Sequence, residues 1–201
     1  TVAPPIPVDD IIELHLELTY EIDDLRGQFG HDDILGAIWF NDAIIRVDRS
    51  LDPHQHPPML GRYRFTLAHE AGHWRLHRAH FLKDLSQGQI FGSDGQPSYV
   101  CRAGQTAPEE VQANRFAAAM LMPRELVRSA WRAWLGDDRH VCVLDLDVPD
   151  VDASKERNQN IAMERFCKPI AEQFEVSAEA MRLRLEAMEL LVRQRAILLF
   201  D

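Results

Sequence analysis

Residues 66–74 read TLAHEAGHW, and the order His69-Glu70-x-x-His73 inside them decides how the chain is read. On an α-helix, residues i and i+4 share a face, so the two imidazoles can converge on one point just off the helix surface. Two neutral imidazoles at that separation suit Zn²⁺, which takes nitrogen ligands about 2.0 Å away. Glu70, one step round the helix, flanks that point without coordinating, where a base must sit to take a proton from an attacking water. The competing reading is a core helix with two stray histidines. Phe65, Ala68 and Gly72 weigh against it, because they form an apolar, small-residue stripe that packs closely on a neighbour. A glycine inside a helix costs about 1 kcal/mol relative to alanine, a penalty that close backbone approach explains.

Downstream, PEEVQANRFAAAMLMP (108–123) carries Glu110, Ala113, Asn114, Ala117 and Leu121 on one helical stripe. A carboxylate on an apolar face needs a cation, and a metal held by His69 and His73 supplies one. Two histidines and a glutamate leave a fourth position for water, as catalysis requires. Glu109 points about 100° away and reads as the partner of Thr106 in a capping box, with Pro108 tolerated in the first turn. Asn114, one turn beyond Glu110, is placed either to orient a metal-binding histidine or to make an interhelical hydrogen bond.

Upstream, a short helix behind Asp9 and Asp10 precedes alternation at Leu18, Tyr20 and Ile22, and ILGAIWF (34–40) and AIIRVDR (43–49) flank Asn41-Asp42 as a hairpin. SLDPHQHPPMLG (50–61) is a loop, and 62–80 carries a helical pattern. Residues 81–105 read as a long loop with room for a short hairpin; 106–122 is a helix that Pro123 stops, and 136–160 is a polar connector before three short helical patterns.

Net charge is −10, which disfavours partners that rest on excess Lys and Arg, such as nucleic acid or anionic membrane. Residues 151–201 hold eight basic and nine acidic residues, a balance of −1, so 1–150 carries the remaining −9. Cys101, Cys142 and Cys167 sit at unrelated spacings and frame neither disulfides nor a paired-cysteine zinc site. With no signal-peptide pattern and no apolar run near the roughly 18 residues of a membrane helix, the expected home is the cytoplasm.

RFTLAHEAGHWRLH (64–77), EEVQANRFAAAMLMP (109–123) and IAEQFEVSAEAMRLRLEAM (170–188), in that order, resemble the ImmA/IrrE family of metallopeptidases. The resemblance implies an α+β fold: a minimal zincin-like domain, an active-site helix on a small sheet, over 1–150, followed by a helical, helix-turn-helix-like region over 151–201. It implies zinc on His69, His73 and Glu110, a gluzincin-type third ligand, with Glu70 as catalytic acid/base. Manganese or another divalent ion could replace zinc in cells. It further implies a protein substrate, a helix-turn-helix transcriptional repressor whose cleavage induces a stress or mobile-element response. The 81–105 segment is longer than the compact connection of that family.

Weaker signals complete the reading. Tyr99, Tyr63, His54 and His56 are candidate oxyanion donors, each with an alternative as a loop or packing residue. GAIWFND (36–42) is either a sheet edge on which a peptide docks or an interior strand. His77 and His80 continue the histidine face and are expected to be solvent-exposed. Cys101 is either a masking thiolate ligand or inert. The aspartate run from Asp145 to Asp152 lacks an EF-hand's glycine and final glutamate and reads as a solvated loop. A rival from another class is a DNA-binding regulator with a structural metal, using 170–188 with Ser177 as helix cap and Arg182 and Arg184 facing phosphate. The acidic opening of its second helix argues against direct DNA binding.

Overall fold

The computed structural model describes residues 3–86, 95–104, 106–146 and 156–193. The chain divides into two compact units, one of Ile6–Leu121 and one of Met122–Asp201 with Thr1–Pro5. The aspartate run beyond residue 146 and the apolar tail at 196–200 lie outside the described residues. No helix among the described residues is long and apolar enough to cross a membrane.

The first unit opens with α1 (Val8–Asp10), which widens into a π-type turn over Ile11–His15, and continues through β1 (Thr19–Asp23) and α2 (Leu25–Phe29). Strands β2 (Ile34–Trp39) and β3 (Ile44–Asp48) form the antiparallel hairpin expected around Asn41-Asp42. Two 3-10 turns, Arg49–Leu51 and Pro57–Met59, punctuate the following loop before α3 (Leu60–Leu76) and α4 (Arg78–Ser86). Strand β4 (Tyr99–Arg102) and α5 (Pro108–Leu121) complete the unit. The sheet order is β1-β3-β2-β4, with β1 parallel to β3 and the other pairs antiparallel.

One open alternative is decided here and two expectations change. Of the two readings of residues 36–42, the interior strand holds: β2 pairs with β3 on one side and β4 on the other, and all six of its residues are buried. One face of β2 packs on α2 through Leu25, Ala37 and Trp39, and α3 covers the sheet as well, which gives β2 the uniformly apolar character of a strand covered on both faces. The segment 81–105 is not one loop, because α4 runs to Ser86 and Tyr99–Arg102 adds the fourth strand. The helix expected over 62–80 breaks at His77 into α3 and α4.

From Thr66 to His73 every residue of α3 is buried. A helix buried all round lies between layers, and here those are the sheet and α5. Both contacts are made at glycines. A Cβ on Gly36 of β2 would come within 2.6 Å of the Thr66 Cγ2, and one on Gly72 within 3.1 Å of the Ala113 Cα. Gly72 thus has its explanation in the close approach of α5.

The second unit contains α6 (Arg124–Leu135), whose N-cap is Pro123, then β5 (Val141–Cys142), a 3-10 turn, α7 (Glu156–Phe174), α8 (Ala178–Ala187) and β6 (Leu191–Val192). Among the described residues, two helices and a two-residue strand thus stand in the stretch where three helical patterns were expected. Ser177 caps α8 as expected, its hydroxyl accepting from the Ala180 N–H at 3.1 Å. Trp131, fully buried, packs edge-on against Trp134 and Phe166.

Candidate metal centre

Helix α3 presents His69 and His73 to α5, and α5 presents Glu110 from its first turn. The two Nε2 atoms are 3.0 Å apart. Glu110 reaches both rings, with Oε2 at 3.1 Å from His69 Nε2 and Oε1 at 3.4 Å from His73 Nε2. Ligands about 2.0–2.1 Å from one tetrahedral ion lie about 3.3 Å from each other, so these three groups fit a divalent cation with little movement. All three are buried, and burial alone would raise the Glu110 carboxyl. Its contacts with the two imidazoles win and hold it down at about 2.

Other side chains fix the imidazoles from behind. Asn114 Oδ1 lies 3.0 Å from His69 Nδ1. His73 Nδ1 lies 2.9 Å from His77 Nδ1, and His77 Nε2 lies 3.2 Å from Gln112 Oε1. One arrangement of protons suits a bound metal: Gln112 Oε1 accepts from His77 Nε2–H, His77 Nδ1 accepts from His73 Nδ1–H, and Asn114 Oδ1 accepts from His69 Nδ1–H. In that arrangement His69 and His73 would offer bare Nε2 atoms to a metal. His77 is therefore not a solvent-exposed residue as expected; it is 7% exposed and closed in against α5. His80 does face solvent. The i, i+4 continuation from His73 to His77 was the available signal; Gln112 gave none.

Glu70 is the anomaly of the site. It is wholly buried, and neither carboxylate oxygen has a hydrogen-bond partner among the described residues. Burial pushes it up to about 8, with His69 opposing and Glu110 adding to the rise. Such a carboxylate costs several kcal/mol unless a cation or a bound water meets it, and this orphaned group beside three convergent donors is what a metal site requires.

Of the four candidate oxyanion donors, Tyr99 alone touches the cluster, its ring stacked on His73 with centroids 4.3 Å apart. Phe40 and Phe81 pack around Tyr99 from β2's end and α4. Tyr63 is buried against Tyr20 and Asp9; burial first, then those neighbours, push its phenol up, and it serves packing. His54 and His56 are exposed in the loop before α3 and make no polar contact with the cluster among the described residues. Cys101 is 7% exposed on β4, and its sulfur lies within 4.8 Å of donor atoms of both His69 and Glu70.

A buried helix carrying His-Glu-x-x-His against a mixed sheet, with a glutamate from the next long helix facing both histidines, defines the metallopeptidase class of hydrolases. Within that class, the Peptidase_M78 family, described as the IrrE N-terminal-like domain, matches residues 51–186 of the 201, and the chain belongs to this family. It is a hydrolase acting on peptide bonds, and its family implies a divalent metal. No curated protein matches the chain.

Proposed function

We propose that the chain is a zinc-dependent endopeptidase in which His69, His73 and Glu110 hold the metal and Glu70 is the catalytic acid/base. The observation that carries the reading is the partnerless Glu70 carboxylate beside three donors already spaced for one ion. Nitrogen, nitrogen and carboxylate form a donor set that suits zinc, which when bound supplies Lewis acidity toward the scissile carbonyl and its attacking water. Glu70 takes the proton from that water and delivers it to the leaving amine. Asn114, and His77 backed by Gln112, keep both ligand imidazoles in the required tautomer. Tyr99 is the donor best seated to stabilise the developing oxyanion.

Strand β4 lies at one end of the sheet order and pairs with β2 alone among the described strands. An extended peptide adding to that edge would lie next to Tyr99 and Cys101. We assign as substrate a helix-turn-helix repressor whose cleavage induces a stress or mobile-element response, in the cytoplasm.

The rival role in DNA binding loses support from the second unit. Arg182 is 5% exposed and held by Glu164 at 3.0 Å and Glu186 at 2.6 Å, and Arg184 donates to the Met122 carbonyl at 3.0 Å. Both arginines that the rival role would use are engaged by partners within the protein, Arg182 buried and Arg184 half-buried. Incubating the purified chain with a repressor encoded beside it tests the substrate. One chelator-sensitive cut, absent with Glu70→Gln, is expected; an intact repressor at every metal loading would contradict it.

A further inference from the structure

One nucleophile beside the site has no part in the mechanism above. His69 belongs to two sets of mutually close donor atoms, each within 4.8 Å: one with His73 and Glu110, the other with Glu70 and Cys101. Strand and helix geometry produce this. Tyr99 and Cys101 are two residues apart on one face of β4, about 6.6 Å along the strand, while His73 and His69 are four apart on α3, about 6 Å along its axis. The matched advance seats Tyr99 on His73 and puts the Cys101 sulfur within 4.8 Å of a His69 ring nitrogen. Opposite Cys101 the β2–β4 register slips between Ile34 and Gly36, an irregularity of the kind that re-aims a side chain beside an active site.

The contrast with Cys167 is direct. Its sulfur donates to the Glu164 and Ala178 carbonyls at 3.7 and 3.4 Å, the satisfied state of a structural cysteine. Cys101 instead stands against a ligand histidine and a buried carboxylate that lacks any hydrogen-bond partner among the described residues. A change of χ1 rotamer moves a sulfur by about 3 Å, enough to carry it from the Glu70 side toward the shared focus of His69, His73 and Glu110.

We propose that Cys101 is an internal ligand for the metal, binding next to Glu70 in the substrate-free chain and closing the site to water until it withdraws. This rests on the metal-centre reading above. As the sulfur–metal bond forms, the S–H bond breaks and its proton is released to solvent, as thiolate ligation requires; withdrawal takes a proton back. Thiolate is a favoured zinc donor, at about 2.3 Å, so it competes with water on good terms. Because β4 is also the end strand of the sheet among the described residues, a peptide docking on it acts on the strand that carries the latch.

Cobalt(II) reports thiolate ligation independently of turnover. The full chain, Cys101→Ser and Cys101→Ala are each titrated with cobalt and their near-ultraviolet and visible spectra recorded, with circular dichroism to verify folding. All three are expected to bind one equivalent, with thiolate-to-cobalt charge transfer in the wild type only and cobalt affinity in the variants lower by roughly tenfold. Equal binding with identical spectra overturns the proposal and leaves the metal centre standing. Failure of all three to bind overturns the metal centre and the proposal with it. If neither variant folds, the wild-type spectrum decides alone: a sulfur band supports the latch, and bound cobalt without one refutes it.

Discussion

Arg182 and Glu70 are both buried ionisable residues on helices, yet their surroundings treat them in opposite ways. Arg182 on α8 sits between two acids, each within 3.0 Å, and Glu186 is further bound by Arg193 at 2.7 Å. That network satisfies itself, which is how a protein keeps a charge inside for structural reasons. Glu70 on α3 has no partner among the described residues, and its proton is held by desolvation. A fold that tolerates such a cost without local compensation is reserving the group for something that binds.

Breaking the comparison at Glu70 should give the largest effect. Glu70→Gln keeps the shape and removes the base, so kcat is expected to fall by about 10³-fold with metal content unchanged, read by peptide cleavage alongside metal analysis. The same variant should alter the stability of metal-free protein. The folded carboxyl titrates near 8 and the unfolded one near its ordinary 4.5, so between those values the folded chain holds the extra proton. Stability of the metal-free wild type therefore falls as pH rises through that window, by a few kcal/mol from Glu70; Glu70→Gln removes that contribution and leaves the smaller one of His69, whose raised value acts in the same sense above 6.5. Urea unfolding in chelator at pH 5 and pH 8 measures both. Glu110 works in the other sense: depressed to about 2, it contributes stability that is present above 4.5 and lost as pH falls toward 2.

At Arg182 the loss should be in folding alone. Arg182→Ala strands Glu164 and leaves Glu186 to Arg193 alone, and because both acids keep some solvent contact the expected cost is about 2–3 kcal/mol, with metal binding unaffected. His77→Ala should be smaller, lowering metal affinity about 10- to 100-fold by freeing the His73 ring, as competition with a chelating dye would read. An exposed pair sets the floor: Lys168→Ala, which removes the 3.8 Å contact with Glu172, should shift stability by less than about 0.5 kcal/mol.

The helical part of the centre was legible because helix geometry is local. The four-residue spacing of His69 and His73, the stripe from Glu110 to Leu121, and Gly72 at the crossing all follow from a fixed period. The sheet was less so. Tyr99–Arg102 is too short to show alternation, and its pairing with β2 joins residues more than sixty apart, so β2 stayed open between edge and interior strand and β4 read as loop with room for a hairpin. His77 has the same spacing from His73 as His73 has from His69. Whether it meets solvent or a partner depends on where α5 puts Gln112, which spacing does not encode.

The account depends on Glu110 completing a metal site with the two histidines, and equilibrium metal binding to Glu110→Ala tests that most directly. One tightly held divalent ion per chain in the wild type and in Glu70→Gln, with affinity lower by roughly 100-fold or more in a folded Glu110→Ala, is the predicted result. A folded Glu110→Ala that keeps its ion with wild-type affinity would contradict it.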